Sequence, residues 1–128
     1  MKKNLEFYRC KHCGNLIVFI NKSIEQVTCC NEKMMSISPN TVEASVEKHL
    51  PVVRFEGNKT SVSVGSIEHP MNPEHYIEWI VLETDHGFRI EYLEPGNKPE
   101  VFFNKDEAMP IAVYAYCNLH GLWKTDMV

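Results

Sequence analysis

No apolar run in the chain approaches the roughly 20 residues that a membrane-spanning helix requires. The opening stretch MKKNLEFYRC has two lysines but neither the apolar segment nor the small-residue cleavage site of a secretory signal. No membrane partner is expected, and a cytoplasmic location is the default. Clusters of Lys and Arg are also missing, and the formal net charge is -4, so the basic stripe that binds nucleic acid is absent and a small partner is expected instead. There is no internal repeat and no low-complexity tract. Helical patterning is scarce, with only short segments such as 72–75 able to form a turn of helix.

What is present is the composition of a globular chain of 128 residues, 44% hydrophobic and 23% charged. That length fits one ordinary domain, or a small one joined to a medium one. Residues 1–37 carry Cys10, Cys13, Cys29 and Cys30 but few large apolar side chains, so a metal staple is expected there. Residues 38–41, within the polar stretch SISPNT, form the expected join, and residues 42–128 the second unit. In this second part VVRFE and TSVSV flank Gly57-Asn58 as a hairpin, YIEWIVLET predicts a strand with at least one buried face, FRIEY alternates, and VFF and IAVYAY follow. Short strands separated by turn signals predict an all-β chain with an antiparallel sandwich or barrel.

Five cysteines make an odd number, and a close set in a reducing compartment reads as metal ligands before disulfides. Cys10 and Cys13 bracket a two-residue turn before Gly14, and Cys29 and Cys30 are adjacent. Four thiolates suit a tetrahedral iron or zinc. A Cys-Cys pair departs from the repeated CxxC of common zinc ribbons. His12, between two of these ligands, reads as a solvated turn residue.

The second constellation is spread over three segments: EKHLP with His49, HPMNPEH with His69 and His75, and CNLHG with Cys117 and His120. Pro70 and Pro73 can fix the loop between His69 and His75 so that both imidazoles face one point. Cys117 and His120 form a CxxH chelate. Taken singly, each histidine reads as an ordinary surface or core residue, and Cys117 as a buried thiol. Together, four imidazoles and one thiolate exceed the usual four-coordinate zinc shell and suit a redox-active iron with a sixth position open. Beside such a site Glu47 can offer a carboxylate and Lys48 can attract a small anion. His86, in the TDHG turn, reads as a surface residue.

On the motifs YRCKHCGN, TCCNEKM, EKHLP, HPMNPEHYIEWI and CNLHGLWK, which span nearly the whole chain, the sequence resembles desulfoferrodoxin, the two-iron form of superoxide reductase. The resemblance implies a desulforedoxin-like domain with an iron on Cys10, Cys13, Cys29 and Cys30. It also implies an immunoglobulin-like, neelaredoxin-like β-sandwich with a second iron, His49, His69, His75 and His120 equatorial and Cys117 axial. The implied activity is one-electron reduction of superoxide to hydrogen peroxide without oxygen evolution, with Lys48 steering the anion and Glu47 binding the ferric iron. A homodimer paired through the small domains and a small electron donor such as rubredoxin are implied as well. Two other readings stand beside this one: an electron carrier whose second metal site is structural, and a zinc protein with two structural sites.

Overall fold

In the computed structural model, residues 4–127 are described, and they divide into two compact units, Asn4–Ser38 and a second from Pro39 onward. The first unit is built of five short strands, β1 (Phe7–Arg9), β2 (Leu16–Val18), β3 (Thr28–Cys29), β4 (Glu32–Lys33) and β5 (Met35–Ser36). They form a three-stranded sheet in the order β2-β1-β5 and a separate β3-β4 ribbon. Its buried apolar side chains are Phe7, Cys10 and Met34. So little apolar burial cannot offset the ordering of some 35 residues at about 1–2 kcal/mol each, so the cysteines must supply the missing stabilisation.

The β3-β4 ribbon explains how adjacent cysteines can serve one site. Cys29 pairs with Glu32, which leaves Cys30 and Asn31 as a two-residue hairpin loop, and both have positive φ, 53° and 62°. Positive φ at both central positions is the type I′ requirement. The sharp reversal brings the Cys30 sulfur back towards that of Cys29 instead of to the opposite side of a strand.

The second unit is a two-sheet antiparallel sandwich. Its elements are α1 (Val46–His49), β6 (Pro51–Glu56), β7 (Lys59–Val64), β8 (Ile77–Thr84), β9 (Gly87–Tyr92), β10 (Glu100–Asn104), β11 (Pro110–Cys117) and β12 (Gly121–Asp126). One sheet runs β10-β7-β6 and the other β12-β11-β8-β9. The expected Gly57-Asn58 hairpin forms, with Glu56 opposite Lys59. Val62, Val64, Val101 and Phe103 from the first sheet meet Ile77, Ile80, Leu82, Val113, Ala115 and Cys117 from the second in one core. This is the all-β sandwich architecture expected from the sequence. At about 25 cal/mol per Å² of apolar surface, such a core is the main stabilising term of the unit.

One local expectation is corrected. Residues 72–75 form no helix: Asn72 and His75 pair as an isolated bridge. The single α-helix among the described residues is the one-turn α1. Pro51 ends it by forcing Leu50 into the extended region, φ -68° and ψ 127°. The alternating stretch Phe88, Ile90 and Tyr92 forms β9, a sheet edge on which Ile90 and Tyr92 are exposed. Asn40, placed in the expected join, docks on β12: its side-chain amide donates to the Lys124 carbonyl and its Oδ1 accepts from the Lys124 N–H.

Candidate metal centres

The strand register gathers the second constellation at one end of the sandwich. Pro51 lies opposite Val64, Ile77 opposite Cys117, and Cys117 opposite Gly121. The segment entering β6, the β7–β8 connection and the β11–β12 turn therefore converge. His49 comes from the first, His69 and His75 from the second, and His120 from the third. Gly121, at φ +77°, takes the left-handed conformation that closes the tight turn after His120.

The four imidazoles form a closed ring of neighbours. Successive centroids, His49 to His69, His69 to His75, His75 to His120 and His120 to His49, are 4.6, 4.7, 5.1 and 4.8 Å apart, and each pair is close to perpendicular. The His49–His75 diagonal is longer, 6.3 Å. One donor atom each from His49, His69, His75 and Cys117 lies within 4.8 Å of all the others. His120 falls outside that foursome yet faces the same space, with Nδ1 3.1 Å from His49 Nε2 and 3.8 Å from Cys117 Sγ.

Hydrogen bonding sets the tautomers. His49 Nδ1–H donates to the Ser45 carbonyl at 2.7 Å, and His69 Nδ1–H to the Pro70 carbonyl at 2.6 Å. In the neutral rings both Nε2 atoms are then bare lone pairs, and they sit only 3.2 Å apart. A proton between them is disfavoured, because burial holds His49 and His75 below the usual histidine range and His69 down to about 4. Secondary contributions come from neighbouring imidazoles, and for His49 and His75 from the charge of Lys48. His75 Nε2 is buried without any hydrogen-bond partner. Lone pairs packed this closely, one of them orphaned, fit a bound cation, and carbonyl-oriented imidazoles are the usual arrangement of metal-ligating histidines.

Cys117 closes the site from the core side. Its side chain is fully buried beside Val113 and Ala115. Burial raises its thiol pKa, and the N–H groups of Leu119 and His120 act against that rise. Glu47 and Lys48 stand on α1, both solvent-accessible next to buried His49.

Several residues that shape the site were not assigned a role from the sequence. Trp123 stacks on His49, 4.9 Å between centroids, and its Nε1–H donates to the His120 carbonyl at 3.2 Å. Gly65 passes so close to α1 that a Cβ there would fall 2.5 Å from the Glu47 carbonyl oxygen. That same oxygen accepts from the Ile67 N–H at 2.9 Å and the Ser66 hydroxyl at 3.2 Å, pinning the segment that carries Glu47 and Lys48. A tryptophan three residues after a candidate ligand was a readable signal. The grip on Glu47 acts on its main-chain carbonyl, largely through main-chain groups, and left none.

In the first unit the four sulfurs of Cys10, Cys13, Cys29 and Cys30 lie within 4.8 Å of one another, and no disulfide forms between them. The Gly14 N–H donates to the Cys10 carbonyl, and the Cys10 N–H to the Asn15 carbonyl, tightening the knuckle. The Cys13 N–H leads the groups that lower the Cys10 thiol to about 6. Contact with Cys13, then Cys10, raises Cys29 and pushes Cys30 up to about 12. Only part of the set can ionise without a counter-charge, so four thiolates here fit a cation at the centre. His12 is an exposed turn residue, as read from sequence, with Nε2 3.1 Å from Glu32, which Lys11 also contacts at 3.3 Å. These contacts link the two cysteine loops.

Family models match in chain order: "Desulfoferrodoxin, N-terminal domain" over residues 2–37 and "Desulfoferrodoxin" over residues 41–126. A desulfoferrodoxin of Clostridium acetobutylicum is 42% identical over 127 residues, covering 99% of this chain and 100% of the relative. One from Desulfarculus baarsii is 40% identical over 126 residues, covering 98% and 99%. The crystal structure of the superoxide reductase from Treponema pallidum superposes with a TM-score of 0.80 at 35% identity, covering 97% of this chain and 100% of that one. With both models matched in order, full-length relatives at these identities and both donor clusters assembled, the chain belongs to the desulfoferrodoxin family.

Proposed function

We propose that this protein is a superoxide reductase carrying two irons per chain. The observation that carries the reading is the ring of four imidazoles beside a buried cysteine, with close-packed lone pairs that fit a cation. A structural zinc site needs no fifth donor. The Treponema pallidum structure, which covers 97% of this chain, is that of a superoxide reductase. The test is whether superoxide is consumed with peroxide but no dioxygen as product.

In this proposal residues 1–37 are the domain that holds one iron through Cys10, Cys13, Cys29 and Cys30, and residues 42–128 the catalytic domain, with 38–41 between them. His49, His69, His75, His120 and Cys117 hold the second iron. Iron bound there supplies the single electron that reduces superoxide. The protein's own groups do the rest. The carbonyls of Ser45 and Pro70 keep two imidazoles in the ligating tautomer, and the core around Cys117 keeps water from its sulfur. Lys48, exposed on α1, attracts the anion to the site, and solvent delivers the two protons that peroxide needs. Glu47, on the same turn, would supply a carboxylate oxygen to iron held there. A rubredoxin-type electron donor and a cytoplasmic location complete the proposal, and no helix of the described chain is long and apolar enough to cross a membrane. Exposed Ile20, Ile24 and Met35 on the first unit support pairing of two copies there.

Lys48→Ala is expected to slow the bimolecular reaction with superoxide about tenfold and to flatten its dependence on ionic strength, since steering is screened beyond about 8–10 Å. Pulse radiolysis across a salt series reads both quantities. An unchanged rate and slope would remove Lys48 from the mechanism.

A further inference from the structure

His49 and His69 are each oriented by a ring N–H to a carbonyl, but no such bond holds the ring of His75 among the described residues. Its direction must come from its backbone. On one side the His75 and Asn72 main chains exchange hydrogen bonds of 2.9 and 3.0 Å. On the other stands Asn118, the residue after Cys117.

The ladder between β8 and β11 ends with Ile77 opposite Cys117, after a register shift between Tyr116 and Cys117. Beyond it the Asn118 N–H donates to the Tyr76 carbonyl at 3.2 Å. The Asn118 side-chain amide then takes the place of a further peptide: Oδ1 accepts from the Tyr76 N–H at 2.9 Å, and Nδ2 donates to the Glu74 carbonyl at 3.1 Å. The bonded groups lie on both sides of His75. A single side chain therefore ties the loop bearing His75 to the β11–β12 turn that follows Cys117 and carries His120, segments more than 40 residues apart in the chain. A planar amide with one donor and one acceptor is required, and neither Asp nor Leu of similar size supplies both.

We infer that Asn118 is a positioning residue, a strand-extending clamp that sets His75 against Cys117 and His120 and so fixes the geometry of the second metal centre. The inference rests on the reading of those three residues as ligands. Groups that orient ligands from outside the donor set typically contribute 10–100-fold in metal affinity.

The full chain, stripped of metal, is titrated with cobalt(II), whose ligand-field bands separate a tetrathiolate from a histidine-rich site. Asn118→Ala is expected to weaken the histidine-rich site at least about tenfold and to shift the thiolate-to-metal band of the iron-loaded protein, while the four-cysteine site keeps its affinity and spectrum. Asn118→Asp keeps the volume and the Tyr76 contact but sets two oxygens against each other at Glu74. It carries the same expectation if the alanine variant does not fold. Parent-like affinity with an unshifted band in the folded variant overturns the clamp. His75→Ala separates the two levels: if it weakens cobalt binding while the Asn118 variants do not, only the clamp fails. If it too binds as the parent does, the ligand assignment falls with it.

Discussion

Cys117→Ser is expected to abolish superoxide reduction to the level of the metal-free chain and to erase the sulfur-to-metal charge-transfer band of the second centre, leaving the first centre's spectrum intact. A serine hydroxyl stays neutral near pH 7 and is a hard, weak donor where the site offers a soft thiolate. In the proposed centre the thiolate would be the electron-donating lever, as axial thiolates are in haem proteins. Position sharpens the effect, because Cys117 is fully buried in the core shared by both sheets and neither water nor another side chain can replace its sulfur. A buried hydroxyl without a full set of partners also costs about 1–3 kcal/mol of stability, so a modest drop in melting temperature should accompany the loss. Absorption spectroscopy and pulse radiolysis on the same preparation check both parts. A surviving band in the second centre would show that Cys117 does not ligate the metal.

The second large effect concerns metal removal. Strong chelation of the full chain is expected to unfold the unit Asn4–Ser38 while the strands β6 to β12 persist. The first unit buries only Phe7, Cys10 and Met34 as apolar side chains, whereas the second has a continuous two-sheet core. Metal binding to a comparable four-ligand structural site contributes on the order of 10 kcal/mol, far more than three buried side chains can. Clustered thiols make the metal-free state worse, since Cys13, then Cys10, make both Cys29 and Cys30 resist ionisation. In an amide correlation spectrum, peaks of Phe7–Arg9 and Met35–Ser36 should collapse to random-coil positions after chelation, and those of β8 and β11 should stay dispersed. Dispersed first-unit peaks in a verified metal-free sample would contradict this account.

Donor atoms were the legible part of the sequence, because cysteines and histidines at chelate spacing have few other reasons to cluster. Cys117 with His120 and the four early cysteines fall together in space as their spacing implied. The Gly57-Asn58 hairpin and the doubly buried strand β8 were readable from turn chemistry and a near-continuous apolar run. What was not readable depends on short or main-chain features. Val46–His49 is too brief for helical periodicity to appear. The alternation in β9 has the period of a half-buried strand, but its place at the sheet edge decides its exposure. The grip of Gly65, Ser66 and Ile67 on the Glu47 carbonyl, and of Asn118 on the flanks of His75, couples residues remote in sequence through main-chain groups, a common hydroxyl and a common amide. The His12–Glu32 contact was missed for a related reason: Glu32 reaches it only because the type I′ turn at Cys30-Asn31 folds the chain back.

The product stoichiometry of superoxide consumption tests the central claim most directly. Protein purified without oxygen, with its iron content measured and its second centre reduced, is mixed with superoxide while peroxide and dioxygen are followed together. A reductase yields one peroxide for each superoxide consumed and no dioxygen, with the electron drawn from the second iron and two protons from solvent. Half a peroxide and half a dioxygen per superoxide would identify a dismutase, and no consumption by the fully iron-loaded protein would leave the five-donor site without the activity assigned to it.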